Sequence, residues 1–356
     1  MYCMLWPIAQ IGGIYDVSRA GHWPPDRLHK EAARRANVLL ANGVRPGSRV
    51  AILHGNSASF CADLFAVWSA GGVAIPLDPA LTPFEIRNIV DYVKPHVTLI
   101  SNEKPAADIP LLDLAVQTVD SNVSVPTSVS PDDPALIFFT SGTTGAPKGV
   151  VLSHRALLTR VSLNVGIIGS SVLARTLVTL PTSFGHGLIG NLLTPLYSGA
   201  DLVFGPGGLD LARSLGHLID EHRISFLSSV PALWQLAMKT SQPPRGGTLQ
   251  RVHVGSAPLA ADLWHRISRF CRAEVVNTYG MTEAANWISG ASGNEEIADG
   301  LVGRPWGCQA AILDDNGEIG YRGVGEIVIS TPSRMTGYLD RPDLTKSVLQ
   351  DGWLRT

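Results

Sequence analysis

Thr140, Ser141, Gly142, Thr143, Thr144 and Gly145 follow one another at the end of an apolar run, and Lys148 and Gly149 close the stretch FFTSGTTGAPKGVVLSH. Glycines let backbone N–H groups converge, hydroxyls add donors, and a lysine adds a cation. Together these suit a polyphosphate. The stretch is not a Walker A loop, because glycine rather than Ser or Thr follows Lys148 and the glycine spacing is shorter. The competing reading is a turn rich in small residues. With Gly and Pro each at about 5 to 7% of residues, eight specified positions match by chance on the order of once in many millions. A second constellation lies in AEVVNTYGMTE, where an apolar run enters a turn bearing the Tyr279 ring, Gly280, the Thr282 hydroxyl and the Glu283 carboxylate. Such a set can stack a base and hold a cation, since Mg²⁺ commonly bridges one carboxylate to phosphate oxygens. Taken singly, Tyr279 also reads as packing and Glu283 as a solvated side chain. A third is LPTSFGHGLIGN, where Phe184 and His186 sit among glycines. They suggest a mainly apolar ligand pocket with one hydrogen-bonding group at its rim, against the alternative of a packed Phe and a satisfied structural His.

The elements that must position these residues form an alternating series. Short apolar runs at 49–54, 72–77, 135–140, 176–181, 201–204, 225–231, 251–255 and 273–277 read as buried strands. Helical patterns lie between them, as at Asp26 to Ala41 and Thr82 to Val93, where Thr82 and Glu85 form a capping box around Pro83. The expected fold is therefore α/β, with two helix-covered, largely parallel sheet subdomains. After about Gly290 the texture becomes hairpin-like, with turns at Asn316-Gly317 and near Gly323, and a smaller β-rich, barrel-like subdomain is expected. The divisions expected are 1–170 with the phosphate loop, 171–290 with the second and third constellations, and 291–356 for the β-rich unit. The Ser/Pro-rich stretch 121–134 reads as a surface connection, and no internal repeat is visible.

Composition excludes several classes. A chain of 356 residues with 45% hydrophobic side chains can bury a large core, and a net charge of -2 without basic runs disfavours nucleic acid. Cys3, Cys61, Cys271 and Cys308 are far apart, so neither a disulfide framework nor a zinc site is indicated, which favours a reducing cytoplasm. No Lys or Arg precedes Arg19, and no apolar stretch reaches spanning length, so neither an export signal nor a membrane span is read.

TSGTTGAPKGV, GSAPL (Gly255 to Leu259), NTYGMTEAA (Asn277 to Ala285) and the stretch from GEIVIS to DGWLRT occur in this order. In these motifs the chain resembles the adenylate-forming superfamily of acyl- and aryl-CoA ligases, luciferases and carrier-loading adenylation domains, over nearly its whole length. The resemblance implies an ATP-dependent acid–thiol ligase: a carboxylate attacks the α-phosphorus of ATP, and the acyl-adenylate then passes to coenzyme A. It implies phosphate contacts from Thr140, Ser141, Gly142, Thr143, Thr144, Gly145 and Lys148. An adenine slot is implied between Ser256 and Ala257 on one side and Asn277, Thr278 and Tyr279 on the other. Catalytic roles fall to Lys148, Thr282 and Glu283, with Thr282 at the α-phosphate and Glu283 holding Mg²⁺. Phe184, His186, Gly255, Gly280 and Met281 would line the acid pocket. Trp287 would either join them or pack against the β-rich unit. Arg304 and Tyr338 sit in family-like contexts or brace that unit.

Amino-acid-activating relatives carry an Asp where this chain has Gly185, so the expected substrate is an aryl or medium acyl acid rather than an amino acid. The alternatives are a stand-alone adenylating enzyme that loads a carrier protein, and a nucleotide- or acyl-binding protein of this fold without turnover. In relatives GWLRT continues into Gly-Asp, a hinge and a small domain. The expectation is thus a large domain with the C-terminal small domain absent.

Overall fold

The computed structural model describes residue 6 and residues 12–18, 21–101, 111–117, 129–140, 148–293 and 296–356. Its strands form three sheets. The seven-stranded sheet contains Arg49–Ile52, Val73–Pro76, Val97–Leu99 and Leu111–Leu112, all parallel, with Pro134–Thr140 parallel to Val73–Pro76. Lys148–Ser153 then turns back antiparallel on Pro134–Thr140. The nine-stranded sheet has a parallel centre made of Asp201–Phe204, Arg175–Val178, Phe226–Ser229, Arg251–Gly255 and Glu274–Met281, with Asn286–Ser292 antiparallel at its flank. A five-stranded antiparallel sheet contains Gln309–Leu313, Glu326–Ser330 and Trp353–Arg355 and realises the expected β-rich unit.

Local sequence explains the local elements. Every residue of Val73–Pro76 is buried, as an apolar run in a covered parallel sheet requires. The helix Pro83–Val93 starts on the anticipated box: Thr82 Oγ1 accepts from Glu85 N at 3.3 Å and Thr82 N donates to Glu85 Oε2 at 2.8 Å. The helix Ala58–Ser69 is buried along nearly its whole surface, and its Trp68 indole donates to the Ala135 carbonyl at 2.9 Å, fixing the strand that leads into the phosphate loop.

Pairing partners cut across the divisions expected at 170 and 290. Ile14–Asp16 lies parallel to Asp201–Phe204, Arg304–Pro305 pairs with Asn286–Ser292, and Gly337–Tyr338 returns to pair with Lys148–Ser153. Periodicity reports which face of a strand is buried but carries no information about a partner hundreds of residues away. One buried cluster joins all three sheets, from Ala74 and Leu136 through Val178 and Leu202 to Ile329 and Leu354.

Candidate active site

The carboxyl ends of Arg251–Gly255 and Glu274–Met281 open onto a cavity of about 100 Å³. In α/β sheets ligands gather outside these strand ends, because chain and side chains diverge there. Across the cavity runs a π-helical stretch, His186–Leu193, of the kind that recurs at functional sites. Asn191 holds it to the sheet: its Oδ1 accepts from Thr179 N at 2.8 Å and its Nδ2 donates to the Leu177 carbonyl at 3.1 Å. Gly187 is required there, since a Cβ would overlap the Pro181 carbonyl oxygen.

Of the residues read as an acid pocket, Phe184, His186, Gly280 and Met281 line this cavity, with Thr282 and Trp287. Gly255 lies beneath them, where a Cβ would sit 2.5 Å from Thr278 Oγ1 and 3.5 Å from His186 Cε1. His186 is not an open rim group. Its Nδ1 meets Ser256 Oγ at 2.7 Å and its Nε2 meets Ser228 Oγ at 2.6 Å. Burial pulls its pKa down to about 3, so the ring is neutral, with one nitrogen donating and the other accepting.

Asn286 was not anticipated. It lines the cavity and donates from Nδ2 to the Gly185 carbonyl at 2.9 Å. It follows the TEAA segment without a motif of its own, and only the reversal of the chain at Ala285, with φ of 64°, brings it to the wall. Ser228 was missed because one hydroxyl within a buried strand carries no local signal.

From the cavity a row of side chains leads to Lys148. Thr282 lines the cavity and begins the short 3₁₀ turn Thr282–Ala284 that carries Glu283. The Tyr338 hydroxyl donates to Glu283 Oε1 at 2.8 Å, and Lys148 Nζ lies 6.0 Å from the centre of the Tyr338 ring. Burial, followed by the Glu283 carboxylate, pushes the Tyr338 hydroxyl well above its usual range, so it remains a donor. Backbone bonds fix the row: Met335 N donates to the Glu283 carbonyl, Thr336 N to Val151 and Leu339 N to Gly149. Tyr338 thus binds the Glu283 carboxylate rather than only bracing the β-rich unit. Arg304 lies on an edge strand opposite Gly290.

Thr140 and Lys148 face each other as the last paired positions of their two strands, at the base of the loop expected to hold phosphate. Ser141, Gly142, Thr143, Thr144 and Gly145 lie outside the described residues. Of the residues expected around adenine, Ser256 and Ala257 are exposed and Tyr279 is half-buried. Asn277 Nδ2 donates to Leu301 O at 2.7 Å and Thr278 Oγ1 to Val254 O at 3.2 Å, so those two side chains hold the strand in place. Among the described residues no cluster of three or more His, Cys, Asp or Glu could cage a metal. A lone carboxylate suits a cation that arrives on phosphate oxygens, and Tyr338 occupies only one oxygen of Glu283.

Residues 26–339 match the family described as AMP-binding enzyme. The chain belongs to that family. This AMP-binding enzyme is 30% identical over 362 residues to an oxalate–CoA ligase of Arabidopsis thaliana, covering 93% of the chain and 70% of the ligase. It is 32% identical over 336 residues to a dimodular nonribosomal peptide synthase of Bacillus subtilis (strain 168), covering 90% of the chain but 14% of the synthase. Its fold superposes on the inhibitor-bound N-terminal domain of FACL13 from Mycobacterium tuberculosis with a TM-score of 0.88, at 25% identity, covering 98% of this chain and 92% of that one. No helix among the described residues of this AMP-binding enzyme is long and apolar enough to cross a membrane.

Proposed function

We propose that the protein activates a compact carboxylic acid with ATP, forming an acyl-adenylate and pyrophosphate. The observation that carries this reading is the continuity of the cavity, through Thr282, with the Glu283–Tyr338–Lys148 row at the base of the phosphate loop. In the reaction a carboxylate oxygen bonds to the α-phosphorus while the bond from that phosphorus to the pyrophosphate oxygen breaks. Two anions must meet, so charge neutralisation and positioning matter more than a protein nucleophile. Lys148 supplies a cation beside the phosphates, Thr282 a hydroxyl between acid and phosphate, and Tyr338 aims the Glu283 carboxylate. Glu283 would hold Mg²⁺, which when bound supplies neutralisation of phosphate charge. Tyr279 offers a face for adenine, with Ser256 and Ala257 opposite.

The cavity of about 100 Å³ favours the compact end of the expected aryl or medium acyl acids, for a cavity of ~150 Å³ already admits benzene. Gly185 and the absence of any carboxylate among the described lining residues disfavour an amino acid, which would need an anion for its ammonium. Similarity to a CoA ligase supports coenzyme A as the acceptor thiol, and similarity to a peptide synthase supports a carrier-protein pantetheine as the alternative. A cytoplasmic setting fits both thiols.

The test is acid-dependent exchange of labelled pyrophosphate into ATP over a panel of carboxylic acids, followed by coenzyme A offered against a pantetheinylated carrier. Exchange with compact acids and none with free amino acids is expected. A proteinogenic amino acid as the best substrate would overturn the reading.

A further inference from the structure

Asn56 stands on the loop that leaves the carboxyl end of the strand Arg49–Ile52, in the seven-stranded sheet. Its amide reaches across to the other large sheet. Nδ2 donates to the Leu180 carbonyl at 2.8 Å, and Oδ1 accepts from Thr182 N at 3.0 Å. Leu180 and Thr182 belong to the turn that leads from the strand Arg175–Val178 into the π-helical stretch His186–Leu193. Both residues are buried, so these backbone groups need protein partners. One amide serves the two, and its orientation is fixed, since a flip would set oxygen against oxygen and N–H against N–H. The loop that bears Asn56 has an anchor of its own. His54 Nε2 meets Asp63 Oδ2 at 2.7 Å, Asp63 Oδ1 accepts from Arg35 Nη1 at 2.7 Å, and all three residues are buried. Arg35 comes from the helix Pro25–Ala41 and Asp63 from Ala58–Ser69, so two helices and a strand end are tied at one point. A short side chain on so stiff a base can hold a distant turn in place.

The turn is also held at both ends from its own side. Asn191 Oδ1 accepts from Thr179 N, and Asn286 Nδ2 donates to the Gly185 carbonyl. Asn56 holds the middle, and it does so from a different sheet. Its grip bears on the cavity wall, because Phe184 and Gly185 line the cavity and a Cβ on Gly185 would lie 4.0 Å from Thr282 Oγ1. A shift of the turn changes the gap between that wall and Thr282, and a misplacement of about 1 Å at a reacting centre can cost on the order of a hundredfold in rate. Resting on the acid-activation reading of this cavity, we propose that Asn56 is a positioning residue, acting through the turn 179–185 to set where the carboxylate lies relative to Thr282 and the phosphate.

The experiment compares the full chain with Asn56→Ala, Asn56→Asp and Ser57→Ala. Asn56→Asp keeps the size and the acceptor but loses the donor to Leu180. Ser57→Ala removes the cap of the helix Ala58–Ser69, where Ser57 Oγ accepts from Phe60 N at 3.1 Å, and leaves both bonds to the turn. Pyrophosphate exchange is measured with acetate, butyrate and benzoate, varying acid and ATP separately, and peptide-resolved hydrogen exchange follows residues 179–185. Both Asn56 variants should lose roughly tenfold or more in saturating rate with the best of the three acids, with the apparent KM for ATP within about twofold. Amides of the turn should exchange roughly tenfold faster or more, while the flanking strand Arg175–Val178 keeps its protection. Ser57→Ala should lower the urea midpoint yet keep the saturating rate within about twofold. Should Asn56→Ala fail to fold, the same readouts on Asn56→Asp decide. Full rate in either Asn56 variant, or an equal loss in Ser57→Ala, overturns the positioning role and leaves the activation reading standing. A rate loss without faster exchange of the turn overturns it too, because Asn56 would then act by another route. No pyrophosphate exchange with any of the three acids in the unmodified protein overturns the activation reading, and the positioning role with it.

Discussion

Glu283 shows how a single side chain acquires direction. A carboxylate on a short turn has several rotamers, and the Tyr338 hydroxyl at 2.8 Å selects one of them while leaving the second oxygen for a cation. Tyr338→Phe should therefore lower acid-dependent pyrophosphate exchange about tenfold, the lower end of the roughly 1.5 to 3 kcal/mol that a hydrogen bond to a charged group contributes, with acid affinity nearly unchanged. Glu283→Gln should cost more, on the order of a hundredfold in exchange, because it removes the charge itself. An equal loss of acid affinity and exchange rate in Tyr338→Phe would show that the tyrosine shapes the pocket rather than the metal site.

Two glycines in the same segment make opposite demands on the π-helical stretch His186–Leu193. A Cβ at Gly187 would overlap the Pro181 carbonyl oxygen, which is backbone and cannot move aside, whereas a Cβ at Gly185 would find only Thr282 Oγ1, at 4.0 Å. Gly187→Ala should destabilise the protein by about 3 kcal/mol or prevent folding, read as a lower urea midpoint. Gly185→Asp should fold normally yet weaken binding of carboxylic acids roughly tenfold or more, because a second anion enters an uncharged cavity. If Gly185→Asp proves the more destabilising of the two, the packing account of this element fails.

Stability of the whole molecule depends on buried groups that keep their protons off or their partners close. Burial lowers the pKa of His154 to about 4 and of His186 to about 3, and burial followed by the Arg251 charge lowers that of His253 well below its usual value. In the unfolded chain these imidazoles protonate near pH 6.5, and in the folded chain only far below it. Their contribution is therefore full above about pH 6.5 and is lost as the pH falls towards 4, at up to ~1.4 kcal/mol per pH unit for each histidine. Urea unfolding between about pH 7 and pH 4.5 should show this loss, with a slope reduced by close to one proton in His253→Leu. An unchanged slope would place the acid sensitivity elsewhere.

Arg160, fully buried, binds Ser333 Oγ at 2.7 Å and the Trp306 carbonyl at 2.9 Å. It thereby joins the helix His154–Ile168, which follows the loop strand, to the segment that leads into Tyr338. Arg160→Met should lower the single unfolding transition expected of a core shared by three sheets, by about 2 to 4 kcal/mol, since several buried acceptors lose their donor together. Two separate transitions in that variant would mean that the sheets unfold independently.

Apolar runs bounded by turns and the Thr82–Glu85 box were enough to read an α/β chain, because strand burial, helix capping and loop chemistry are set by neighbours in sequence, and the ordered motifs at 138–154, 255–259 and 277–285 carried its resemblance to the adenylate-forming superfamily. The strands at 201–204 and 251–255 appear where the apolar runs predict them. Tertiary structure alone decided that Ile14–Asp16 and Gly337–Tyr338 join sheets formed by distant segments, that His186 spends both nitrogens on Ser228 and Ser256, that Tyr338 aims Glu283, and that Asn286 and Trp287 line the cavity. Each of these is a meeting of residues dozens to hundreds of positions apart, or depends on a reversal at one left-handed residue. Such meetings are fixed by sheet register and by packing of the shared core, and neither is written in the local order of side chains.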